Sequence, residues 1–463
     1  MSVAVAAPHP AAIEAARAVV ADGGNAFDAA LAAAGALAVV YPHQCSVGGD
    51  LVAMVRPAGS AVRAVLSIGA AALDARVESM PLRGPQTVTV PGVVAGWAAV
   101  QSLGARLPLG ALLAPAIGFA AGGVEKSKGL RTAISQGLDV IRADPGLAAV
   151  LLGPTLVQPA LAETLTGIAR DWRSFYAGPL NRSLVAGLRS LGSALSEADF
   201  AAHAAEVGAP LSRTVGDVVW HAAPPPVQGA TFLAVVGSRS LVADSRRAQA
   251  ARNALLGDPR GGPVSIDGLL LRTREAFDPQ PEPPKPTGDT VAVTAADDDG
   301  NAVTIIQSVF ESFGAGLLEP ATGVVLHNRG TSFSLDSAHP AHFAGGLRPP
   351  HTLCPTIALT PGGVVALGCQ GGRAQPWILA QLAPDVLTAD AAELVSRPRW
   401  IVRGDDLIVE PGLPPLDPSG LTITTTAGPH DDAGHVQLAR LRSGTLDAGS
   451  DPRADGLAAV LTT

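Results

Sequence analysis

Gly288-Asp289-Thr290-Val291-Ala292-Val293-Thr294-Ala295 starts an alternation of apolar and small polar residues. Asp297-Asp298-Asp299-Gly300-Asn301 interrupts it, and Ala302-Val303-Thr304-Ile305-Ile306-Gln307-Ser308-Val309-Phe310 resumes it. Two extended runs around an Asp/Gly/Asn turn predict a β-hairpin, because Gly and Asn accept the backbone angles of a tight reversal. Immediately before it, Asp278 to Thr287 carries five prolines in ten residues. Proline fixes φ and removes an N–H donor, so neither a helix nor a central strand can run through this stretch. It is the clear internal boundary of the chain, to be read as a surface connector or as a processing region.

Downstream of the hairpin, Val364 to Gly368 reads as a strand entering Cys369-Gln370-Gly371-Gly372-Arg373, and Pro376 to Leu382 leaves as a helix. Strand, glycine turn and helix in that order place backbone amides near a strand end. Upstream, helices dominate. His9 to Val20 opens on Pro10, which suits a first helical turn because its missing N–H is unsatisfied there anyway. Asn25 can cap a second helix with Asp28 three residues on, and Phe27, Leu31, Ala34 and Leu37 supply its buried stripe. Tyr41 to Asp50 is a loop, Leu51 to Val55 a short buried strand, and Pro91 to Val124 is helical, broken near Gly104 and Pro108.

The 463 residues are 47% hydrophobic and 16% charged, the balance of a folded globular chain with a large core. A net charge of −8 with no Lys or Arg run gives no footprint for nucleic acid or an anionic membrane surface. The apolar start, Met1 to Ala7, lacks a positive flank and is broken by Pro8, His9 and Pro10, so it reads as mature sequence rather than a signal peptide. Phe27 to Val40 is too short and too Ala-rich for a membrane span and reads as a core helix. Cys45, Cys354 and Cys369 are too few and too scattered for a disulfide framework or a CxxC metal site, which fits a reducing cytoplasm. No metal or cofactor is expected.

The series of motifs resembles the γ-glutamyltranspeptidase family. His9-Pro10 with Gly23-Gly24-Asn25-Ala26-Phe27-Asp28 is similar to the family's opening HP…GGNAxDAA, and Tyr41-Pro42-His43 with Gly48-Gly49 to its EPH…GGG. Val90-Pro91-Gly92-Val93-Val94-Ala95-Gly96 and Leu112-Leu113-Ala114-Pro115-Ala116-Ile117 follow in order. Gly288-Asp289-Thr290, Phe313-Gly314-Ala315-Gly316, Asn328-Arg329-Gly330, Gly371-Gly372, Pro398-Arg399-Trp400 and Asp451-Pro452-Arg453 continue the series in the second half. The resemblance implies an α+β fold, a four-layer αββα sandwich of the N-terminal-nucleophile hydrolase type. It also implies a precursor that cuts itself between Asp289 and Thr290 into a large region, 1–289, and a small region, 290–463. The two would remain associated as one intertwined domain.

Taken alone, Thr290 is one strand threonine among several, and Gly371-Gly372 is equally a plain turn. The resemblance makes Thr290 the nucleophile, activated by its own freed α-amine, of which about a tenth or more is neutral at pH 7. It makes the amides of Gly371 and Gly372 oxyanion donors and Ser308 the hydroxyl that orients Thr290. Substrate contacts are expected from Arg329, Ser332, His351 and Thr352. His9 and His43 are read as packing residues.

Departures from the family concern the substrate. The family's RETAP arginine, which clamps the α-carboxylate of a γ-glutamyl group, aligns with Ser67-Ile68-Gly69-Ala70-Ala71, which holds no Arg. Arg63 and Arg76 lie some residues away, and a bidentate clamp is too directional for either to be assumed a substitute. The Asp that receives the α-amine corresponds to Ser332, and the paired serines to His351 and Thr352. The expected partner is therefore a small-molecule acyl or modified amino-acid amide. Carbon–carbon bond cleavage of the kind used in alkylproline pathways, standard γ-glutamyl transfer and an unprocessed non-catalytic relative remain alternatives.

Overall fold

Two antiparallel sheets lie face to face in the computed structural model, which describes residues 1–275, 277 and 288–463. The first runs in the order Leu457–Thr462 (β13), Ser2–Ala7 (β1), Gly288–Asp297 (β7), Ala302–Glu311 (β8), Asp50–Arg56 (β2), Arg63–Ser67 (β3) and Glu206–Gly208 (β4). The second runs Thr445–Ser450 (β12), Val436–Arg442 (β11), Gly363–Cys369 (β10), Thr356–Thr360 (β9), Val218–Ala222 (β6) and Leu211–Val215 (β5). The hairpin expected from residues 290 to 310 is β7 and β8, and the Pro-rich run 278–287 lies outside the described residues.

The period of two along each strand divides its side chains between two cores. On β7 and β8, Val291, Val293, Ala295, Val303 and Ile305 face outward, onto Pro10–Ala21 (α1), Ala26–Val40 (α2), Val93–Gly104 (α3) and Leu109–Gly122 (α4). Ala292, Ala302 and Ile306 face inward and meet Ile357, Val364 and Ala366 of the opposing sheet. The Thr304 hydroxyl donates across that gap to the Thr356 carbonyl at 2.9 Å. The second sheet's outer face carries Gly229–Val235 (α5) and Gln375–Leu382 (α6) over Trp220, Ala358 and Leu367. The four layers are thus helix, sheet, sheet, helix.

The helix signals act as the sequence suggests. His9 caps α1, accepting from the Ala11 N–H, with Pro10 in the first turn. Asn25 and Asp28 form a reciprocal capping box on α2, the Asn25 side chain accepting from Phe27 and Asp28 and Asp28 accepting from the Asn25 N–H. Every residue of α2 is buried. This explains its alanines, because a helix enclosed on all sides needs short side chains to let its neighbours approach. Met1 to Ala7 shows no element signal of its own, yet Ser2–Ala7 is a strand held between β13 and β7. Among the described residues no helix is long and apolar enough to cross a membrane, and the three cysteines are buried free thiols.

Candidate active site

Three inward-facing polar side chains lie in a row where β7, β8 and β2 end. Thr290 is 2% exposed and donates its hydroxyl to Ser308 Oγ at 3.1 Å. Ser308 pairs in register with Asp50 on β2. The ladder is irregular at this point: Val291 opposes Gln307, but Asp289 opposes Phe310, so Ser308 and Val309 together face Thr290. A bulge of this kind bends the strand and re-aims its side chains. It also sets Phe310 at φ 78°, a region costly for a side chain of this size and characteristic of functional sites. Ser308 Oγ accepts the Phe310 N–H at 2.8 Å, so one hydroxyl fixes both the bulge and Thr290.

Asp50 is fully buried. Its Oδ1 accepts the Gly69 N–H at 3.0 Å, while Oδ2 lies 3.3 Å from His351 Nε2 and 3.4 Å from His327 Nδ1. Burial alone would raise its proton affinity. His327 and then His351 more than reverse this, so the carboxyl is held below the usual carboxylate range. His351 Nδ1 accepts from the Thr352 N–H at 3.1 Å, which leaves the ring proton on Nε2, facing Asp50. Burial and the nearby Arg329 push the His351 pKa down to about 3, against the pull of Asp50. His327 Nε2 meets the Thr89 carbonyl at 2.9 Å.

Arg329 is 1% exposed in the short turn Arg329–Ser332. Its guanidinium stands 4.0 Å over the Phe310 ring and donates to Thr352 Oγ1 at 3.3 Å and to the Pro350 carbonyl at 2.6 Å. Ser332, at the other end of that turn, is half-buried, and its side chain makes no hydrogen bond among the described residues.

The turn after β10 closes the site from the second sheet and packs against β7. Gly371 has φ 148° and Gly372 φ 53°, and a Cβ on Gly371 would lie 2.6 Å from Ile378 Cδ1. Only glycine suits that place. Neither glycine's N–H is bonded to another described residue. Two fully buried glutamines join this turn to the 351–354 segment. Gln228 Nε2 donates to the Thr352 carbonyl at 2.5 Å and to the Gly372 carbonyl at 2.9 Å, and Gln375 Oε1 accepts the Cys354 N–H at 2.8 Å.

Thr290, Ser308, Gly371, Gly372, Arg329, His351 and Thr352 therefore converge, while Ser332 stays at the edge. Asp289 contributes the backbone of β7. Arg63 is exposed at the start of β3, and among the described residues Arg76 bonds only its neighbour's carbonyl, so neither stands in for the family's clamp. Sequence reasoning passed over Asp50, His327 and Gln228. Asp50 had a signal, a charge opening an otherwise apolar strand directly after Gly48-Gly49. Gln228 had none, since its role exists only once two distant segments meet.

Comparison with known proteins gives the family. Residues 12–461 match the family described as Gamma-glutamyltranspeptidase. The oxamate amidohydrolase proenzyme of Klebsiella pneumoniae is 35% identical over 516 aligned positions, covering 98% of this chain and 97% of that protein. The glutathione hydrolase-like YwrD proenzyme of Bacillus subtilis is 30% identical, covering 98% and 97%. The crystal structure of cephalosporin acylase from Bacillus halodurans matches with a TM-score of 0.87 at 27% identity, over 99% of this chain and 95% of that one. The chain belongs to the γ-glutamyltranspeptidase family and is an enzyme of its N-terminal-nucleophile hydrolase type.

Proposed function

We propose that the chain is a proenzyme that cuts itself between Asp289 and Thr290, and that Thr290 then cleaves the amide bond of a small acyl substrate. The Thr290–Ser308 hydroxyl pair, on the strand against which the Gly371-Gly372 turn packs, carries this reading. In maturation, the Thr290 hydroxyl attacks the Asp289 carbonyl, the acyl group moves from nitrogen to oxygen, and water hydrolyses the ester. Asp289 is left as a carboxylate and Thr290 with a free α-amine. In turnover, that amine takes the hydroxyl proton as Oγ attacks the substrate carbonyl and passes it to the departing amine, and water or a second amine releases the acyl group. Gly371 and Gly372 stabilise the oxyanion in both steps. In this reading His351, Thr352 and Arg329 contact the substrate, with Ser332 on the same short turn as Arg329.

Relatives named as an oxamate amidohydrolase and as acylases, each termed a proenzyme, support amide cleavage and processing. A glutathione-hydrolase relative keeps γ-glutamyl amides as the second reading. The uncharged Ser332 and the segment Ser67 to Ala71 without an arginine weigh against it. A denaturing gel with N-terminal sequencing of the smaller fragment tests the proposal. Wild type gives two fragments, the smaller beginning at Thr290, and Thr290→Ala gives one inactive band. A Thr290→Ala protein that matures and turns over amides like the parent refutes it.

A further inference from the structure

Asp50 opens β2 ahead of Leu51-Val52-Ala53-Met54-Val55, and its side chain is fully buried. A carboxylate in that place is costly unless polar groups surround it. Three segments supply them. Oδ1 takes the Gly69 N–H at 3.0 Å, while Oδ2 faces His327 Nδ1 at 3.4 Å, two residues before the Arg329–Ser332 turn, and His351 Nε2 at 3.3 Å. The two histidine contacts are longer than a tight hydrogen bond, so what acts across them is chiefly the charge of Asp50. The same histidines keep the carboxyl ionised against its burial.

The His351 ring is held from both sides. The N–H groups of Thr352 and Leu353 point at Nδ1, at 3.1 and 3.4 Å, so that nitrogen presents its lone pair. The ring proton is on Nε2, where the carboxylate draws it. Burial and Arg329 keep the ring neutral, with a pKa down at about 3, so only the choice of tautomer is open. Both nitrogens are spent within the protein, and what His351 offers a substrate is its ring.

Asp50 thereby stands between the two halves of the site. Its partner in register on β8 is Ser308, whose Oγ holds the Thr290 hydroxyl at 3.1 Å. Through His351 it reaches Thr352, whose carbonyl shares the Gln228 amide with the carbonyl of Gly372. We propose that Asp50 is a positioning residue for the Thr290 reaction: its carboxylate locks the His351 ring in one tautomer and so sets the Gly371-Gly372 turn against the nucleophile. This rests on the Thr290 reading and adds to it a residue outside the motif series.

The same shape without the charge cannot do this. In Asp50→Asn, Oδ1 still takes the Gly69 N–H, which turns the amide NH2 toward His351 and sets a donor against the Nε2 proton. Moving that proton to Nδ1 only sets it against the Thr352 and Leu353 N–H groups, so the ring loses a partner in either form.

NMR of 15N-labelled histidines tests this, with the His351 signals identified by their loss in His351→Gln. In wild type Nε2 should carry the proton, unchanged between about pH 5.5 and pH 8, well above the ring's value of about 3. In Asp50→Asn that form should no longer be the sole one. The two fragments should appear at least about 10-fold more slowly on a denaturing gel, the scale of a misplaced oxyanion donor or a wrong tautomer. Adding Asp50→Asn to His351→Gln should slow them by less than about threefold beyond His351→Gln alone, because the carboxylate acts through the ring. A merely structural role gives additive losses with the tautomer unchanged. A wild-type ring protonated on Nδ1, parental fragment formation in Asp50→Asn, or additive losses in the double variant overturns the inference. Should Asp50→Asn fail to fold, His351→Gln decides alongside the wild-type tautomer: fragment formation at the parental rate overturns the inference, and slowing by about 10-fold or more bears it out. Failure of the Thr290 reading is separate, visible as maturation in Thr290→Ala, and does not alter the tautomer.

Discussion

The side-chain amide of Gln228 donates to the carbonyl of Gly372 at 2.9 Å and to that of Thr352 at 2.5 Å, so the Gly371-Gly372 turn and the 351–354 segment are held by one residue. A fully buried strut between two loops from different parts of the chain fixes their separation. Sub-ångström placement of oxyanion donors governs how much charge they stabilise in the transition state. Gln228→Leu keeps the volume and deletes both bonds. It should lower kcat by about 10- to 100-fold while KM stays within about threefold, because the loss is felt where the oxyanion forms. Unfolding measurements should show a cost of about 1–3 kcal/mol from two stranded carbonyls. Equal kcat in variant and parent would remove Gln228 from the positioning of the site.

Ser308 has two duties, holding Thr290 at 3.1 Å and the strained Phe310 N–H at 2.8 Å. Ser308→Ala should therefore slow appearance of the two fragments, by about 10-fold or more, as expected for loss of an orienting hydrogen bond at a nucleophile. Ser308→Thr should retain much of the rate. A time course on a denaturing gel decides the matter, and an unchanged rate in the alanine variant shows that the bulge alone orients Thr290.

Acid should weaken the fold through its buried histidines. His351 and His43 are both driven down to about 3, chiefly by burial, from an ordinary value of 6.5. Each stays neutral when folded, whereas the unfolded chain takes up its protons as the pH drops below about 6.5. Their contribution is complete above about pH 6.5 and is lost progressively toward pH 3, each histidine adding a slope of up to ~1.4 kcal/mol per pH unit. Asp50, held low, adds its own loss below the ordinary carboxylate range. Urea midpoints should fall between pH 7.5 and pH 5, and His43→Gln should flatten that dependence. A midpoint independent of pH across the interval contradicts the sign.

Two of the motifs quoted from the sequence meet in a structural ion network rather than at the site. Arg399 donates to Asp451 at 2.5 Å with both side chains fully buried, and Asp451 also accepts from Arg453 at 2.9 Å. Asp451→Ala leaves the buried Arg399 guanidinium without its carboxylate, while Arg453 keeps Glu410, and should destabilise by about 3–5 kcal/mol, judged by chemical unfolding. Arg403→Ala, on a half-exposed side chain, should cost less than about 1 kcal/mol. Comparable losses in the two variants would mean that the buried pair is not what anchors the C-terminal segment.

Local signals carried far in this chain. The alternation around Asp297 to Asn301 gave the hairpin, Asn25 with Asp28 gave the helix cap, and the glycine pair after Val364 to Gly368 gave the turn, because each is decided by neighbours a few residues apart. The motif order carried the family and the four-layer architecture. Thr290 and Ser308 were legible as a pair only through that order, since a threonine on a strand has no local mark of a nucleophile. Met1 to Ala7 carries no local strand signal, and its place between β13 and β7 depends on segments more than two hundred residues away.

What the sequence determined by itself was the hairpin, the first helices, the strand before the glycine turn and, through the order of its motifs, the family, because the elements rest on periodicity, capping and turn chemistry within short windows. What only the tertiary structure decided was which side chains share a site. The bulge at Ser308 turns Thr290 toward it, the stacked sheets bring Gly371-Gly372 across the gap, and Arg329 is buried without an acid beside it. Asp50 and Gln228 gain their meaning there as well. Charge and hydrogen-bond partners are set by distance through space, and a partner 144 positions away, as Gly372 is from Gln228, leaves no trace in local sequence.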